Sequence, residues 1–126
     1  MSGIFVLQSV ATGKIIDSNG AGNAYILPYN GTNYQKWDVM QSGQGWARLR
    51  NIATGKYLDS NWNGNLYTLE GNGGDHQKWR VEGLGNETFR LHNIVTGKVL
   101  DSNGAGDAYT LQNNGGYYQK YRFFRP

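Results

Sequence analysis

The chain contains no cysteine, so neither disulfides nor a thiolate metal site can contribute, and redox chemistry gives no clue to its compartment. Histidine and proline occur only twice each; neither histidine has a partner pattern suited to a metal or to catalysis. No apolar run approaches the roughly 20 residues needed to cross a bilayer. The N-terminus MSGIFVLQSV lacks the basic start and long apolar core of a secretory signal. Membrane insertion is therefore not expected, and the chain as given reads as soluble and leaderless. A basic patch is also missing. The net charge is +3, yet the lysines fall at repeated places, Lys14, Lys56 and Lys98, and Lys36, Lys78 and Lys120, so the footprint of a nucleic-acid binder is absent. Only the C-terminal YRFFRP, with Arg122 and Arg125 among aromatics, resembles a basic-aromatic patch, and strand-end packing is the expectation there.

What the chain does have is glycine, nineteen of them, with nine tyrosines and four tryptophans. Glycine supplies the positive φ that tight turns need and aromatics suit pleated strands, so the composition favours an all-β class of many short strands. The length fits one domain with one core.

Three segments align without a gap: ATGKIIDSNGAGNAYILPYNGTNYQKW, ATGKYLDSNWNGNLYTLEGNGGDHQKW and VTGKVLDSNGAGDAYTLQNNGGYYQKY. Asp17, Asp59 and Asp101 lie 42 residues apart, as do Gln35, Gln77 and Gln119, so the 126 residues divide into three units, 1–42, 43–84 and 85–126. Alternation within each unit reads as four strands, around FVLQSV, KIID, AYIL and QKWDVM in the first, separated by the turn signals TGK, SNGAG and NGTN. About twelve strands result. A propeller needs about four or more blades, whereas three units can close as a short barrel with a hairpin cap, a β-trefoil with pseudo-threefold symmetry; a three-sided β-prism is the architectural alternative.

The triplets Gln35-Lys36-Trp37, Gln77-Lys78-Trp79 and the variant Gln119-Lys120-Tyr121 resemble the Gln-x-Trp repeat marker of ricin-B-type β-trefoil lectins. The longer pattern LDSNxxGxxYTLxxNGGxxQKW is similar to that of the actinohivin-like lectins, which bind high-mannose glycans through α1,2-linked mannose. The resemblance covers all three units.

Recurrence within one chain separates scaffold from site only when each position is weighed on its chemistry. Trp37, Trp79 and Tyr121 alternate with Val39, Val81 and Phe123, the pattern of an inward strand face, and are expected in the core. Gln35, Gln77 and Gln119 are expected to satisfy backbone groups at the joins between units. The glycines at 13, 22, 31 and their equivalents are expected at positive φ. Asp17, Asp59 and Asp101 have two readings: an Asx turn, or a carboxylate that accepts from two vicinal sugar hydroxyls. Eight residues on stands Tyr25, Tyr67 or Tyr109; thirteen on, Asn30, Asn72 or Asn114; seventeen on, Tyr34, His76 or Tyr118. If the second and third strands of a unit form a hairpin, these converge at its rim. A carboxylate, an amide and aromatic faces suit a ligand that shows both hydroxyls and an apolar C–H face. The resemblance implies the same twelve residues as three carbohydrate-binding sites, with Leu27, Leu69 and Leu111 as an apolar wall.

The units are not identical. The first has Ile26 where Thr68 and Thr110 stand, and Thr32 where Gly74 and Gly116 stand; a β-branched residue at a glycine position is expected to distort the loop and alter site one. The third has Asp107 for Asn23 and Asn65, which adds charge near its site. His76 replaces a phenol by an imidazole, a ring that takes up a proton just below neutral pH, so site two is expected to change in acid.

Catalysis has little support: the aspartates belong to different units and cannot supply the close carboxylate pair of glycoside hydrolysis, and neither a nucleophile elbow nor a phosphate loop is present. His92 alternates with Arg90 and is expected on the surface or core rim. The expectation is a non-enzymatic, trivalent lectin without cofactor, a monomer with three sites. It would recognise mannose termini of high-mannose glycans on glycoproteins or cell surfaces through avidity and meet them outside the cell. The alternatives are an R-type lectin or carbohydrate-binding module for galactose or xylan-type sugars, and a protein-interaction trefoil that keeps the motif for folding alone. The gapless fit of three units argues for a complete protein over a module cut from a larger one.

Overall fold

A computed structural model describes residues 2–126. Unit one supplies β1 (Gly3–Ser9), β2 (Ile15–Ser18), β3 (Ala24–Leu27) and β4 (Trp37–Gln41). Unit two supplies β5 (Ala47–Asn51), β6 (Tyr57–Ser60), β7 (Leu66–Leu69) and β8 (Trp79–Gly85), and unit three β9 (Thr88–Asn93), β10 (Val99–Ser102), β11 (Ala108–Leu111) and β12 (Tyr121–Phe124). One 3-10 turn precedes the fourth strand of each unit, at Asn33–Gln35, Asp75–Gln77 and Tyr117–Gln119. The strand pattern did not foretell these turns, because three residues are too short for a period.

The first and fourth strands of the units form a ring. β1 pairs with β4, β4 with β5, β5 with β8, β8 with β9, β9 with β12, and β12 with β1, all antiparallel. Closure removes the open edges that a flat sheet of these strands would expose. The remaining strands form three hairpins, β2–β3, β6–β7 and β10–β11. This is the β-trefoil, and the prism is set aside because strands of all three units share one barrel.

The core follows the inward face read from the alternation. Trp37, Trp79 and Tyr121 are fully buried, together with the equivalent leucines Leu7, Leu49 and Leu91. The indole nitrogens of Trp37 and Trp79 donate to the carbonyls of Ile16 and Leu58, at 3.0 and 3.1 Å. Each indole thereby ties the barrel to the hairpin above it. At the C-terminus Phe123 is buried and the Arg125 guanidinium lies 4.7 Å from the Phe5 ring centroid, which gives YRFFRP the packing role expected of it.

A cyclic set of contacts joins the hairpins. Thr68 N donates to Gly22 O, Thr110 N to Gly64 O and Ile26 N to Gly106 O, so each hairpin leans on the preceding unit. The lysines repeat the cycle from outside: Lys56 Nζ donates to Gly20 O, Lys98 Nζ to Trp62 O and Lys14 Nζ to Gly104 O. Within the cap, Ser18 Oγ meets Thr68 Oγ1 at 3.2 Å and Ser60 Oγ meets Thr110 Oγ1 at 2.9 Å. The third such pair is impossible, since Ile26 has no hydroxyl. Ser102 Oγ turns instead to Tyr121 Oη at 2.9 Å, where the other units carry tryptophan. Ile26 is therefore a core residue balanced by Tyr121.

The joins between units fall to asparagine rather than glutamine. Asn51 Nδ2 donates to Tyr34 O and Asn93 Nδ2 to His76 O, both at 2.9 Å. At the third join Ser9 is too short for that reach, and the Tyr121 hydroxyl donates to Tyr118 O at 3.0 Å. The glutamines are held within their own units, as described below.

Gly22, Gly64 and Gly106 have φ of +92°, +83° and +99°. A Cβ on Gly64 would stand 2.6 Å from Thr110 O, and one on Gly106 3.5 Å from Ile26 O. Gly64→Ala should therefore cost roughly 2–4 kcal/mol through backbone strain and overpacking, and Gly106→Ala clearly less. Urea unfolding of the two variants checks this, and equal losses would contradict the crossing geometry.

Candidate functional site

Each hairpin carries one hollow on its outer side. Asp17 is the direct cross-strand partner of Tyr25, Asp59 of Tyr67 and Asp101 of Tyr109, so an eight-residue spacing in sequence becomes one carboxylate–phenol pair on one face. The neighbours Ile16 and Ile26 point the other way, into the core. After the third strand the chain turns back over the pair, bringing the asparagine and then the 3-10 turn with Tyr34, His76 or Tyr118.

The hollows are lined by equivalent residues. The first holds Asp17, Tyr25, Leu27, Asn30, Thr32 and Tyr34; the second Asp59, Tyr67, Leu69, Asn72, Gly74 and His76; the third Asp101, Tyr109, Leu111, Asn114, Gly116 and Tyr118. All twelve residues singled out in the sequence, and the three leucines, thus gather into three places. Their volumes are ≈ 220, 320 and 280 Å³ for units one, two and three, at or below the small end of ligand pockets.

The aspartates form the floors. They are only 2–3% exposed and are fixed by buried amides. Gln35 Nε2 donates to Asp17 Oδ2 and Pro28 O, while its Oε1 accepts from Asn30 N, all at 2.9 Å. Gln119 does the same for Asp101, Gln112 O and Asn114 N. The amide orientation follows from Asn30 N and Asn114 N, which can only donate. Ser18 N and Ser102 N donate to the other carboxylate oxygen, at 2.7 Å. In unit two the Gln77–Asp59 contact lengthens to 3.2 Å.

These bonds decide the Asx question. The turn after each aspartate is made by the asparagine two residues later: Asn19 Oδ1 accepts from Ala21 N and Asn23 N, and Asn61 and Asn103 act alike. A second Asx turn belongs to Asn30, Asn72 and Asn114, whose Oδ1 accepts from Thr32 N, Gly74 N and Gly116 N. With Oδ1 so engaged, Nδ2 is the half of each amide left to donate to a ligand.

The phenols of Tyr25, Tyr67 and Tyr109 are held above the usual tyrosine range, first by burial and then by the carboxylate beside each. They stay protonated and so can both donate and accept. Leu27, Leu69 and Leu111 stand exposed at the lip, as do Tyr34 and Tyr118. His76 differs from these tyrosines: its Nδ1 lies 2.8 Å from Ser60 O. A carbonyl only accepts, so Nδ1 carries a proton, and in the neutral ring Nε2 is an acceptor where its counterparts carry a hydroxyl.

One expected departure is corrected, the distortion of the loop at Thr32. Thr32 has φ −79°, against −75° and −77° at Gly74 and Gly116, so a β-branched residue fits without strain; its hydroxyl donates to Asn30 Oδ1 at 2.8 Å. Asp107 Oδ2 accepts from Asn103 Nδ2 at 3.0 Å, and its charge joins burial and Asp101 in raising Tyr109, so the third unit does carry added charge near its hollow. Elsewhere, His92 Nε2 sits 2.8 Å from Glu82 Oε1 on the barrel, away from the hollows. Among the described residues no group of three His, Asp or Glu side chains gathers to hold a metal.

The sequence reading missed Asn19, Asn61, Asn103 and Trp62, all in hollow linings. The asparagines were signalled by the thrice-repeated D-S-N. Trp62 was signalled by the opposite, an aromatic where the other units have Gly20 and Gly104.

A closed trefoil with one equivalent hollow per hairpin defines a class of threefold binding scaffolds. Residues 1–68 and 33–114 match the model of the ricin-type beta-trefoil lectin domain-like family, and the chain belongs to that family. It is similar in structure to ThreeFoil, a designed 3-fold symmetric protein, with TM-score 0.91 and 28% identity over 98% of this chain and 99% of that one. It is also similar to 1,3Gal43A, an exo-beta-1,3-galactanase from Clostridium thermocellum, with TM-score 0.90 and 22% identity over 98% of this chain but only 30% of the galactanase. A third neighbour is SeviL, solved bound to asialo-GM1 saccharide, with TM-score 0.85 and 22% identity over 99% of this chain and 98% of that one. At 22% identity the last two show a shared fold.

The raised phenols have a pH consequence. An unfolded tyrosine ionises near pH 10, while these three hold their protons longer, as does Tyr121, which burial pushes up further. Their contribution to stability is complete below about pH 10 and is lost as pH rises towards their folded values. Ultraviolet titration should resolve a late-ionising group of these four; all nine tyrosines ionising together would contradict it. A second expectation concerns the amides. Gln119→Leu strands Asp101 Oδ2 and Asn114 N, and should cost about 1–3 kcal/mol, read from urea unfolding.

Proposed function

We propose that the three hollows are carbohydrate sites and that the protein is a non-enzymatic lectin, residues 1–126 acting as one trivalent binding domain. The observation that carries this reading is the repeated set at each floor and lip: one immobilised carboxylate, one protonated phenol, one amide with Nδ2 to spare, and an exposed leucine. Two neighbouring hydroxyls of a pyranose donate to the carboxylate, a charge-assisted arrangement about twice as strong as a neutral pair. The phenol and Nδ2 complete the hydroxyls' partners, and the leucine and aromatic ring cover the apolar C–H face. Because Gln35, Gln77 or Gln119 fixes the carboxylate beforehand, little ordering is left to oppose binding.

The ligand we infer is a terminal mannose, α1,2-linked, on high-mannose glycans met outside the cell. What supports mannose is the likeness of LDSNxxGxxYTLxxNGGxxQKW to the actinohivin-like lectins. A galactose-type ligand is the second reading. It is favoured by the two neighbours of this fold that are a β-1,3-galactanase and a lectin bound to asialo-GM1 saccharide. Each hollow has a single carboxylate in its lining, whereas glycoside hydrolysis by the usual route uses two; binding without turnover is the reading this supports.

Three weak sites on one glycan-dense surface raise apparent affinity by roughly 10²–10⁴-fold through effective concentration. A glycan array of mannose, galactose and xylose oligosaccharides tests the specificity, with high-mannose glycans expected to bind. Replacing Asp17, Asp59 and Asp101 together by asparagine, with the fold checked by circular dichroism, should abolish binding. Asp101→Asn alone should lower agglutination by far more than a third. Unchanged array binding by the folded triple variant would sink the carbohydrate reading and favour a protein-interaction trefoil.

A further inference from the structure

The middle hollow departs from both neighbours at two places, and from the first unit at a third. Trp62 replaces glycine, His76 replaces tyrosine, and Gly74 stands where unit one has Thr32. Its volume is the largest of the three despite the added indole, ≈ 320 Å³ against 220 and 280. Trp62 is in the lining and 61% exposed. The other tryptophans are committed elsewhere: Trp37 and Trp79 are buried, and Trp46 lies under Lys78 Nζ, 4.5 Å from its ring centroid.

The loop that carries the indole is held. Trp62 O accepts from Lys98 Nζ at 2.6 Å, the same clamp that Lys56 and Lys14 place on Gly20 and Gly104. Asn61 Oδ1 accepts from Asn63 N and Asn65 N on either side of the loop tip. The backbone is therefore common to the three units and only the side chain is new. A flat apolar face on a fixed loop, facing water beside a polar hollow, is suited to the C–H face of a ring just outside that hollow, since the negative face of the indole attracts such hydrogens. A lone exposed apolar residue needs no such explanation, but this one is contiguous with Asp59, Leu69 and His76.

We propose that site two is an extended site, which holds at least one more pyranose ring than sites one and three, with Trp62 as the platform of that ring. This rests on the carbohydrate reading of the hollows. It predicts a division of labour: sites one and three accept any matching chain end, while site two selects longer chains and sets which glycan is held first. The gain should be about three- to tenfold, the size of one aromatic contact.

The test compares α1,2-linked mannobiose with mannotriose, or galactobiose with galactotriose if the array prefers galactose, by NMR titration of the whole chain. Signals of Tyr34, His76 and Tyr118 report the sites separately, and the exposed indole N–H reports Trp62. The expected result is a three- to tenfold preference for the trisaccharide at site two only, with the indole signal shifting. Trp62→Gly, which restores the residue of the other units, should bring that ratio to one. Gly20→Trp should create the preference at site one; a Cβ there meets nothing within 4 Å, and the φ of Gly20 is not positive. An equal ratio at site two in the unmodified chain, or a preference that survives Trp62→Gly, overturns the extended site while leaving the carbohydrate reading intact. If neither sugar shifts any of the three reporters, both fall.

Discussion

The half of each unit that carries the hollow depends on one buried amide. Gln35, Gln77 and Gln119 each donate to an aspartate of the hairpin and to a carbonyl beyond the third strand, and accept from the asparagine that follows. A buried carboxylate without partners would cost more than a small trefoil can offset. The amide turns that liability into a preset acceptor. It also lies one residue after the pocket aromatic and two before the core Trp37, Trp79 or Tyr121. A Gln-x-aromatic triplet thus bridges core and hollow within three residues, which is why fold and site recur together.

The symmetry is maintained by function of the contact rather than identity of the residue. Where Ile26 removes a hydroxyl from the cap, Ser102 finds Tyr121; where Ser9 is too short to hold the preceding turn, Tyr121 holds Tyr118 O. One substitution of tryptophan by tyrosine answers two deficits, because a phenol reaches out with an oxygen that donates and accepts while an indole only donates. The Ser102 hydroxyl and the Tyr118 carbonyl thus keep their partners, which is the condition for burying such groups.

Much of this was legible in the sequence, and the limits have physical causes. Period-two alternation and a 42-residue repeat gave the strands and the trefoil, because both are set by backbone geometry. The Asp–Tyr spacing was legible because a hairpin of fixed length puts residues eight apart opposite each other. The partners of Gln35, Gln77 and Gln119 were misassigned, since an amide suits a join and a floor equally and only the distances choose. Thr32 was misjudged because the sign of φ cannot be read from glycine at the equivalent positions: Gly74 is glycine at a φ any residue adopts, whereas Gly64 is glycine by necessity. Trp62 was overlooked because attention to what repeats hides what does not.

That last point bears on how three copies acquire different tasks. The clamping lysines, the floor aspartates, the amides and the crossing glycines, all tied to another unit or to the core, are the same in all three units. The hollows differ at the lip and wall, at Gly20 against Trp62, Thr32 against Gly74, and Tyr34 against His76. There the backbone is fixed by neighbours on both sides while the side chain faces water, so substitution costs little stability. Within the hollows, divergence is therefore confined to the lip and wall, while the floor is kept. The middle unit, which alone changes all three positions relative to the first, is where that freedom has been used most.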